Sequence, residues 1–330
     1  MKRSARSIRA AVAAMTLGLM APALSGMSVA YGAWPEKPVR LIVPTAPGGS
    51  PDIVARLYGE ALSRRLGQPV VVENRPGAGG NIGIQALLAA PADGYTVAYG
   101  NNATLATNRF LYSKLPYDPD KLVPIVGLVT TFSILAVNNS LPVKTVQELV
   151  SYARANPGKL SMGSAGNGTT SHLGGELFKV MTQADITHVP YKGSTPALQD
   201  LVGNNVQLMF DNVPSIGAYV SSHRVRALAV TSRTRSPRYP DIPTLQEAGL
   251  KGYEVTAWAG LVAAPGTPSE VVERLNKETN AILRDPEFRA QLDRLSFEPL
   301  GGTARDFQAL IASETVKFGE LVRKSGARVD

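Results

Sequence analysis

A short loop between a strand and a helix carries the residues best suited to bind an anion. The apolar run 41–43 is followed by proline and glycine, and a helical pattern begins at Ser50 and Pro51. Ser50 is a favoured helix N-cap, and Pro51 suits the first helical position. Gly48 and Gly49 let the backbone approach a ligand, and unpaired N–H groups at the helix start point the same way. The loop is predicted to bind one carboxylate of a ligand. The alternative is that it is an ordinary connection between a strand and a helix.

A second glycine-rich loop, with glycines at 77, 79, 80 and 83, does not match a nucleotide-binding motif. Ile82 stands where a G-x-G-x-x-G sequence requires its last glycine, and no G-K-[ST] sequence occurs in the chain. We interpret this loop as one that closes over a ligand or contacts it.

Candidates for nucleophilic catalysis lack the expected surroundings. Ser164 and His172, with Asp185 or Asp211, could form a hydrolase triad, yet no G-x-S-x-G nucleophile elbow surrounds a loop serine. His172 lies at a predicted helix start, where it could cap or orient the glycine loop before it. The chain is therefore not predicted to be an enzyme, and no catalytic residue is assigned.

Metal and cofactor chemistry is not predicted either. The chain has no cysteine, and its histidines at 172, 188 and 223 lack ligand spacing such as H-x-x-x-H. Lys192 follows a predicted strand, where its charge could pair with a carboxylate or could simply be solvated. Both interpretations of Lys192 stay open.

Strands and helices alternate in two units of similar plan, which predicts an α/β fold with parallel sheets and crossover helices. The first unit has strands at 41–43, 70–72 and 96–99 and helices at 52–66 and 82–90. The second has strands at 160–162, 186–189 and 206–210 and helices at 171–181 and 195–201. The third strands end near Asn101-Asn102 and Asp211-Asn212. Because ligands bind beyond the carboxyl ends of such strands, the two units predict one shared cleft.

Two further strands are predicted to join the halves as a hinge. They lie at 132–137 and 255–263, and helices at 270–283 and 303–326 would return the C-terminal part to the first half. The length of 330 residues agrees with two domains, and the apolar fraction of 44% agrees with a sizeable core.

The N-terminus has the composition of a secretory signal peptide, for which we take residues 1–32. Four bases, at 2, 3, 6 and 9, precede an apolar region at 10–24 and then small residues. An uncleaved membrane anchor is the alternative, but the apolar region is short for a span. Removing the segment lowers the net charge from +8 to about +4, which suits an anionic ligand but does not indicate nucleic-acid binding.

The motifs and their order resemble the periplasmic solute receptors of tripartite tricarboxylate transporters, also called Bug proteins. The resemblance extends from Trp34 to the C-terminus. Its motifs are WPEKPVRLIVP at 34–44, APGG at 46–49 with Asp52, VVENRPGAGG at 71–80, DGYT at 93–96, HVPYKG at 188–193 and APGTP at 264–268. Thr45 departs from the family, which commonly has phenylalanine there, and this departure puts the usual ligand preference in doubt.

The resemblance implies a type II periplasmic-binding-protein fold, a two-domain clamshell with parallel-rich sheets and a two-strand hinge. Residues 33–131 and 257–330 would form a discontinuous first domain, and 132–256 the second. In the family, backbone amides of the APGG loop and ordered waters hold one carboxylate, and a glycine loop of the second domain meets the other end. Carried over to this chain, the predicted ligand-binding residues are Thr45, Ala46, Pro47, Gly48, Gly49, Ser50, Asn81, Asn101, Asn102, Ser164, Ala165, Gly168, Thr169, Thr170, Tyr191 and Asp211.

The function that the resemblance implies is binding of a small carboxylate without catalysis. The chain would bind a dicarboxylate, an aromatic carboxylate or an amino acid in the periplasm and deliver it to membrane subunits of a tripartite tricarboxylate-type transporter. A monomer without metal, cofactor or nucleic acid is expected. The alternative is an exported hydrolase of carboxylate esters. A ligand-sensing domain of a regulator shares this fold, but it would need a fused DNA-binding segment, which we do not expect before Trp34.

Overall fold

Ten strands form one mixed sheet in the computed structural model, which describes residues 34–329. The predicted signal peptide at 1–32 lies outside these residues. The strands are β1 Val39–Val43, β2 Val70–Asn74, β3 Thr96–Asn101, β4 Val123–Val137, β5 Leu160–Ser164, β6 Ile186–Pro190, β7 Leu208–Asn212, β8 Arg226–Val230, β9 Thr256–Ala263 and β10 Glu298–Gly301. Their order in the sheet is β2-β1-β3-β9-β4-β7-β5-β6, and β8 and β10 also pair with β4.

Helices connect most of these strands. They are α1 Ser50–Leu66, α2 Asn81–Leu88, α3 Asn108–Leu111, α4 Val146–Ala155, α5 Thr170–Thr182, α6 Ser194–Val202, α7 Val213–Ser221, α8 Ser269–Arg284, α9 Pro286–Arg294 and α10 Ala304–Ser325. Short 3₁₀ helices occupy Ala78–Gly80 and Pro119–Lys121, and a π-helix spans Asn102–Thr107.

Strand pairing changes from parallel at the ends of the sheet to antiparallel in its middle. β1 pairs in parallel with β2 and β3, and β5 pairs in parallel with β6 and β7. Residues 123–132 of β4 pair antiparallel with β9, and residues 133–137 pair with β7 and β8. We call β1, β2, β3, β9, β10 and 123–132 the first half, and β5 to β8 with 133–137 the second half. The predicted α/β fold is confirmed, while the strand predicted at 132–137 is only the second part of β4.

Thr231 links the two segments that pass between the halves. It is fully buried. Its N–H donates to the Ser133 carbonyl (2.9 Å), and the Val255 N–H donates to the Thr231 carbonyl (3.2 Å). The Thr231 hydroxyl accepts from the Ser133 N–H (2.9 Å) and donates to the Val255 carbonyl (2.7 Å). These bonds hold β4 to the segment that enters β9.

The core is divided between the halves, and α10 packs against both. In the first half, Trp258 and Phe307 pack edge to face with ring centroids 6.0 Å apart. In the second half, the buried cluster includes Phe178, Tyr253 and Phe318. Phe307 and Phe318 both belong to α10, so this helix contributes to the core of each half.

The start of α1 differs from the prediction. The sequence predicts Ser50 as the N-cap, and this is wrong. Gly49 is the N-cap, and Ser50 and Pro51 are the first two helical residues. Gly49 has extended backbone angles, and no side chain caps the helix locally. The Ser50 N–H instead donates to the Ser215 hydroxyl at 2.6 Å. A partner distant in sequence therefore decides the helix start.

Gly260 of β9 leaves no room for a side chain between β4 and α10. A Cβ there would lie 2.3 Å from the Val126 carbonyl oxygen and 2.4 Å from the Phe307 ring. We expect Gly260→Ala to lower the free energy of unfolding by about 1–3 kcal/mol, because backbone must move to admit the methyl group. Urea unfolding tests this. Gly203→Ala is the control, since its Cβ would meet nothing nearer than 3.4 Å, and equal stability of the two variants would contradict the expectation.

Candidate ligand-binding cleft

The carboxyl ends of strands from both halves surround one cleft with two adjoining cavities. The first cavity, which we call the Asp211 cavity, has about 510 Å³ of space between protein atoms. The second, which we call the Lys192 cavity, has about 600 Å³. Both include space open to solvent, and both are lined by Thr45, Asn101, Ala165 and Thr169. They are parts of one continuous cleft.

The loop at 46–50 joins the two halves through its backbone. The Ala46 N–H donates to the Lys192 carbonyl at 3.0 Å. The Ser50 N–H donates to the Ser215 hydroxyl at 2.6 Å. Both partners belong to the second half, so these N–H groups hold the halves together.

The rest of this loop offers few free donors to the cleft. The Gly48 N–H donates to Asp52 Oδ2 at 2.9 Å. Among the described residues, the Gly49 N–H has no hydrogen-bond partner, and the buried Thr45 hydroxyl has none either. Gly49 and Thr45 both line the Asp211 cavity. The Gly49 N–H and, just before the loop, the Thr45 hydroxyl are therefore available to a ligand.

Asp52 is held in its ionised form by its neighbours. Burial acts to raise its pKa, but hydrogen bonds from Arg56, the Gly48 N–H and Asn74 outweigh burial, so the pKa is lowered. Arg56 Nε and Asn74 Nδ2 each donate to the carboxylate at 3.0 Å. Asp52 thus fixes the loop from the helix side and leaves the cleft to other groups.

A stacked pair of histidines supports the glycine loop between β5 and α5. The rings of His172 and His188 have centroids 4.1 Å apart and lie 19° from parallel. The Gly168 N–H donates to His172 Nδ1 at 3.2 Å, and a hydrogen bond of 2.6 Å joins Ser164 Oγ and His188 Nε2. The interpretation that His172 orients the glycine loop is confirmed. His188 could not be placed here from spacing alone.

Both imidazoles are neutral at pH 7. Burial lowers the pKa of His172 well below its ordinary value, and His188 and Lys179 lower it further. Burial, with a smaller effect of Lys179, lowers the pKa of His188 to about 4. Because His172 Nδ1 accepts a hydrogen bond, its proton is on Nε2, which lies 3.8 Å from Glu176 Oε1. The pair acts as fixed hydrogen-bonding groups rather than as acids or bases.

Asp211 is a buried acid at the end of β7. Its exposed fraction is 1%, and the Ser194 hydroxyl donates to its Oδ1 at 2.9 Å. Its Oδ2 is buried without a hydrogen-bond partner. Burial raises the pKa of Asp211 to about 7, although hydrogen bonds from Ser194 and the Asn212 N–H oppose the rise. The carboxyl is therefore divided between its two protonation states near neutral pH.

The three predicted asparagines have different roles. Asn101 caps the π-helix, because the Thr104 N–H donates to Asn101 Oδ1 at 3.1 Å. Asn102 Oδ1 accepts from the Trp258 N–H at 2.9 Å and so ties the end of β3 to β9. Asn81 Oδ1 accepts from Asn108 Nδ2 at 2.6 Å. Asn101 and Asn102 line the Asp211 cavity, and Asn81 lines neither cavity.

Glycines allow the loops of the two halves to touch. A Cβ at Gly79 would lie 2.7 Å from the Asn167 carbonyl oxygen, and a Cβ at Gly168 would lie 2.2 Å from Asn108 Oδ1. Asn108 Nδ2 also donates to the Gly79 carbonyl at 3.1 Å. The glycine-rich loop at 77–80 lines the Lys192 cavity, so it both contacts the other half and faces the cleft.

The structure brings together many, but not all, of the predicted residues. The Asp211 cavity is lined by these predicted residues: Thr45, Gly49, Asn101, Asn102, Ala165, Thr169, Thr170 and Asp211. Tyr191 lines the Lys192 cavity. The predicted residues that line neither cavity are Ala46, Pro47, Gly48, Ser50, Asn81, Ser164 and Gly168. The sequence did not predict these residues of the Asp211 cavity: Pro51, Tyr99, Ala103, Ser171, Ser194, Asn212, Ala257 and Trp258. Of these residues, Asn212 could have been predicted from the sequence, because it follows Asp211 at the polar end of the same strand.

The residues considered for a hydrolase triad do not assemble. Ser164 is fully buried and pairs with His188, whereas His172 binds the glycine loop. Asp211 is bonded to Ser194. Among residues 34–329, these hydrogen bonds do not join a serine, a histidine and a carboxylate in one chain.

Metal binding, the position of Lys192 and membrane-spanning helices were also considered in the sequence. Within residues 34–329, no group of three or more histidine and acidic side chains is placed to hold a metal ion. Lys192, at the mouth of its cavity, is exposed. None of the helices described is both long and apolar enough to cross a membrane.

Comparison with known proteins decides the family. The family model described as the tripartite tricarboxylate transporter family receptor matches residues 54–327. The chain belongs to this receptor family. The UPF0065 protein in the tcbD-tcbE intergenic region of Pseudomonas sp. is 41% identical over 292 residues, which cover 88% of this chain and 87% of that protein. The resemblance read from the sequence motifs is confirmed.

Solved structures of similar proteins share the fold of this receptor. The structure of Rpa4515 of R. palustris with adipate has a TM-score of 0.87 and 39% identity, covering 90% of this chain and 100% of that one. The periplasmic binding protein BugD has a TM-score of 0.86 and 37% identity, covering 89% and 99%. MatC of Rhodopseudomonas palustris, with bound malate, has a TM-score of 0.84 and 32% identity, covering 88% and 100%. The periplasmic-binding-protein fold predicted for this receptor is confirmed.

Proposed function

We propose that this receptor captures a small dicarboxylate in its cleft, in the periplasm, and delivers it to the membrane subunits of a tripartite tricarboxylate-type transporter. One carboxylate would bind the Gly49 N–H and the Thr45 hydroxyl. The two halves would act as the domains of a clamshell, the first formed by 33–131 with 257–330 and the second by 132–256. They would close about a hinge formed by the two segments that Thr231 links.

The observation that carries this proposal is the pair of unpartnered donors of the first half facing a cavity built by both halves. A buried hydroxyl without a partner is costly, and a carboxylate would satisfy it through a strong charge-assisted hydrogen bond. Adipate and malate, bound by the similar proteins Rpa4515 and MatC, are both dicarboxylates. Their chemistry matches the donors of this cleft.

A thermal-shift screen tests the ligand class. We expect adipate, malate and other dicarboxylates to raise Tm, whereas esters of the same acids do not. A ligand at about 100 times its Kd stabilises the folded state by about 2.7 kcal/mol, which is a shift of several degrees. The absence of a shift with every carboxylate would overturn the proposed function.

Thr45→Val tests the proposed carboxylate contact. The valine keeps the shape of the side chain but removes the hydroxyl, so we expect affinity to fall about 10-fold, since hydrogen bonds to charged groups contribute about 1.5–3 kcal/mol. The ligand-free Tm should not fall, because that hydroxyl has no partner in the protein. Thr187→Val, an exposed site on β6, is the matched control. Unchanged affinity in Thr45→Val would exclude the contact, although not the function.

A further inference from the structure

Asp211 has one oxygen that the fold uses and one that it leaves free. Oδ1 accepts a hydrogen bond from the Ser194 hydroxyl at 2.9 Å, and the nearby Asn212 N–H also favours the ionised carboxylate. Oδ2 is buried, has no partner, and belongs to a residue that lines the cavity. A carboxylate can accept about four hydrogen bonds, so the free oxygen retains its full capacity for a ligand. The fold therefore leaves Oδ2 available to the cleft.

No cationic side chain lines the Asp211 cavity in the part of the chain that the structure describes. Besides Asp211, its lining has one titratable side chain, Tyr99, whose phenol is kept neutral by burial. In the register of the sheet, Ile134 of β4 stands opposite Asp211. The strand on the other side, β5, carries no titratable residue.

The helices and loops packed around β7 also carry titratable groups. They are His172, Glu176 and Lys179 on α5, His188 on β6, Asp200 on α6, Tyr219 on α7, Asp52 and Arg56 on α1, and Lys192 and Tyr191 in the loop after β6. Glu176 is paired with Lys179, Asp52 with Arg56, and Asp200 accepts from Tyr191. None of these groups contributes to the acidity of Asp211, which is set by burial, Ser194 and Asn212.

These surroundings disfavour a negative charge on Asp211 when an anion enters. A buried carboxylate without a cation is costly, and such a group takes up a proton instead. A ligand carboxylate in the same cavity adds a like charge at close range, which favours the neutral acid further. A neutral carboxyl also supplies the donor that a carboxylate ligand needs.

We propose that Asp211 binds the ligand as a neutral acid, donating a hydrogen bond from Oδ2–H to one ligand carboxylate, so that capture above neutral pH takes up one proton from solvent. The inference rests on the proposed function and adds a proton linkage to it. The only bonds that change are O–H bonds: a solvent acid gives up a proton to Oδ2 when the dianion binds, and Oδ2 returns it to solvent when the ligand leaves.

The linkage has a defined direction. Below about pH 6 the acid is already protonated, and binding takes up no proton. Above about pH 8 the free receptor is mostly ionised, and only the protonated fraction is competent to bind, so affinity falls about tenfold per pH unit. Adipate stays ionised across this range, because ordinary carboxyl pKa values are near 4.

Isothermal titration calorimetry with adipate and malate tests this inference in buffers of different ionisation enthalpy, at about pH 6, 7.5 and 9. We expect proton uptake to rise from near zero to near one per ligand, and Kd to rise about 50-fold between pH 7 and 9. Asp211→Asn should abolish both the proton uptake and the pH dependence. Asp185→Asn, an exposed aspartate of the second half, should keep both.

The possible failures are distinguishable. Adipate or malate binding with a Kd that is independent of pH, and with no proton uptake, would overturn the inference and leave the proposed function standing. Binding of amino acids alone, lost in Asp211→Asn, would show Asp211 acting as an ionised partner of an ammonium group and would also overturn it. Failure of every carboxylate to bind at any pH would instead overturn the proposed function.

Discussion

Replacing Gly168 with valine is expected to weaken carboxylate binding about 100-fold. A Cβ at this position would lie 2.2 Å from Asn108 Oδ1 and 3.2 Å from a Leu111 methyl carbon. Asn108 is bonded to Asn81 and to the Gly79 carbonyl of the first half, so it cannot yield freely. The valine would hold the glycine loop of the second half away from the first and so oppose closure. A 100-fold loss corresponds to about 2.7 kcal/mol, within the usual range for overpacking.

Gly67→Val is the matched control for this substitution. Gly67 has φ +68°, close to the +76° of Gly168, so valine suffers the same left-handed backbone strain at both sites. A Cβ at Gly67 would meet nothing within 4 Å. Both variants should lose similar ligand-free stability in urea unfolding, but only Gly168→Val should lose affinity by calorimetry. Wild-type affinity in Gly168→Val would show that contact between these loops is not needed for binding.

Asp211→Asn is expected to make the ligand-free protein more stable above pH 7. The pKa of Asp211 is raised, so the folded state holds a proton that the unfolded chain releases. This unfavourable contribution is absent below the ordinary pKa of 3.8, grows as pH rises, and is complete above the folded value of about 7. A difference of about three pKa units corresponds to about 4 kcal/mol. Urea unfolding near pH 4 and pH 8 measures the difference between variant and wild type.

Asp52→Asn is the control of opposite sign. The pKa of Asp52 is lowered, because hydrogen bonds from Arg56, Gly48 and Asn74 outweigh the effect of burial. Its ionised form stabilises the fold above its ordinary pKa, and that stability is lost as pH falls through the folded value. Asp52→Asn should therefore destabilise the protein at neutral pH and less so in acid. If Asp211→Asn is no more stable than the wild type at pH 8, burial does not raise the pKa of Asp211 as expected.

Local patterns were sufficient to predict three strands and two helices in each half, whereas β8, β10, α7 and α9 were not predicted. The helix predicted at 270–283 is Ser269–Arg284, and the strand predicted at 255–263 is Thr256–Ala263. Periodicity and glycine or proline boundaries are local, so they are visible in a single sequence. The helix Val146–Ala155 was not predicted, although its sequence contains an N-cap signal. The Thr145 hydroxyl accepts a hydrogen bond from the Glu148 N–H.

The strand β7 shows where local reading fails. It was predicted at 206–210 and lies at Leu208–Asn212. Val206 stays in the preceding turn because its N–H donates to the Asp200 carbonyl, and Asn212 joins the strand because it pairs with Ser133 of β4. A turn therefore sets the start of this strand, and a partner far along the chain sets its end.

The sequence by itself determined the family, the fold class and the glycine loops that allow two halves to meet, because these depend on residue types in a fixed order. Only the tertiary structure decided which groups remain free. In the 46–50 loop, protein partners take the N–H groups of Ala46, Gly48 and Ser50 and leave Gly49 with Thr45 for a ligand. The burial that raises the pKa of Asp211 likewise comes from elements distant in sequence. Hydrogen-bond saturation and desolvation depend on the whole packed environment, which no local pattern contains.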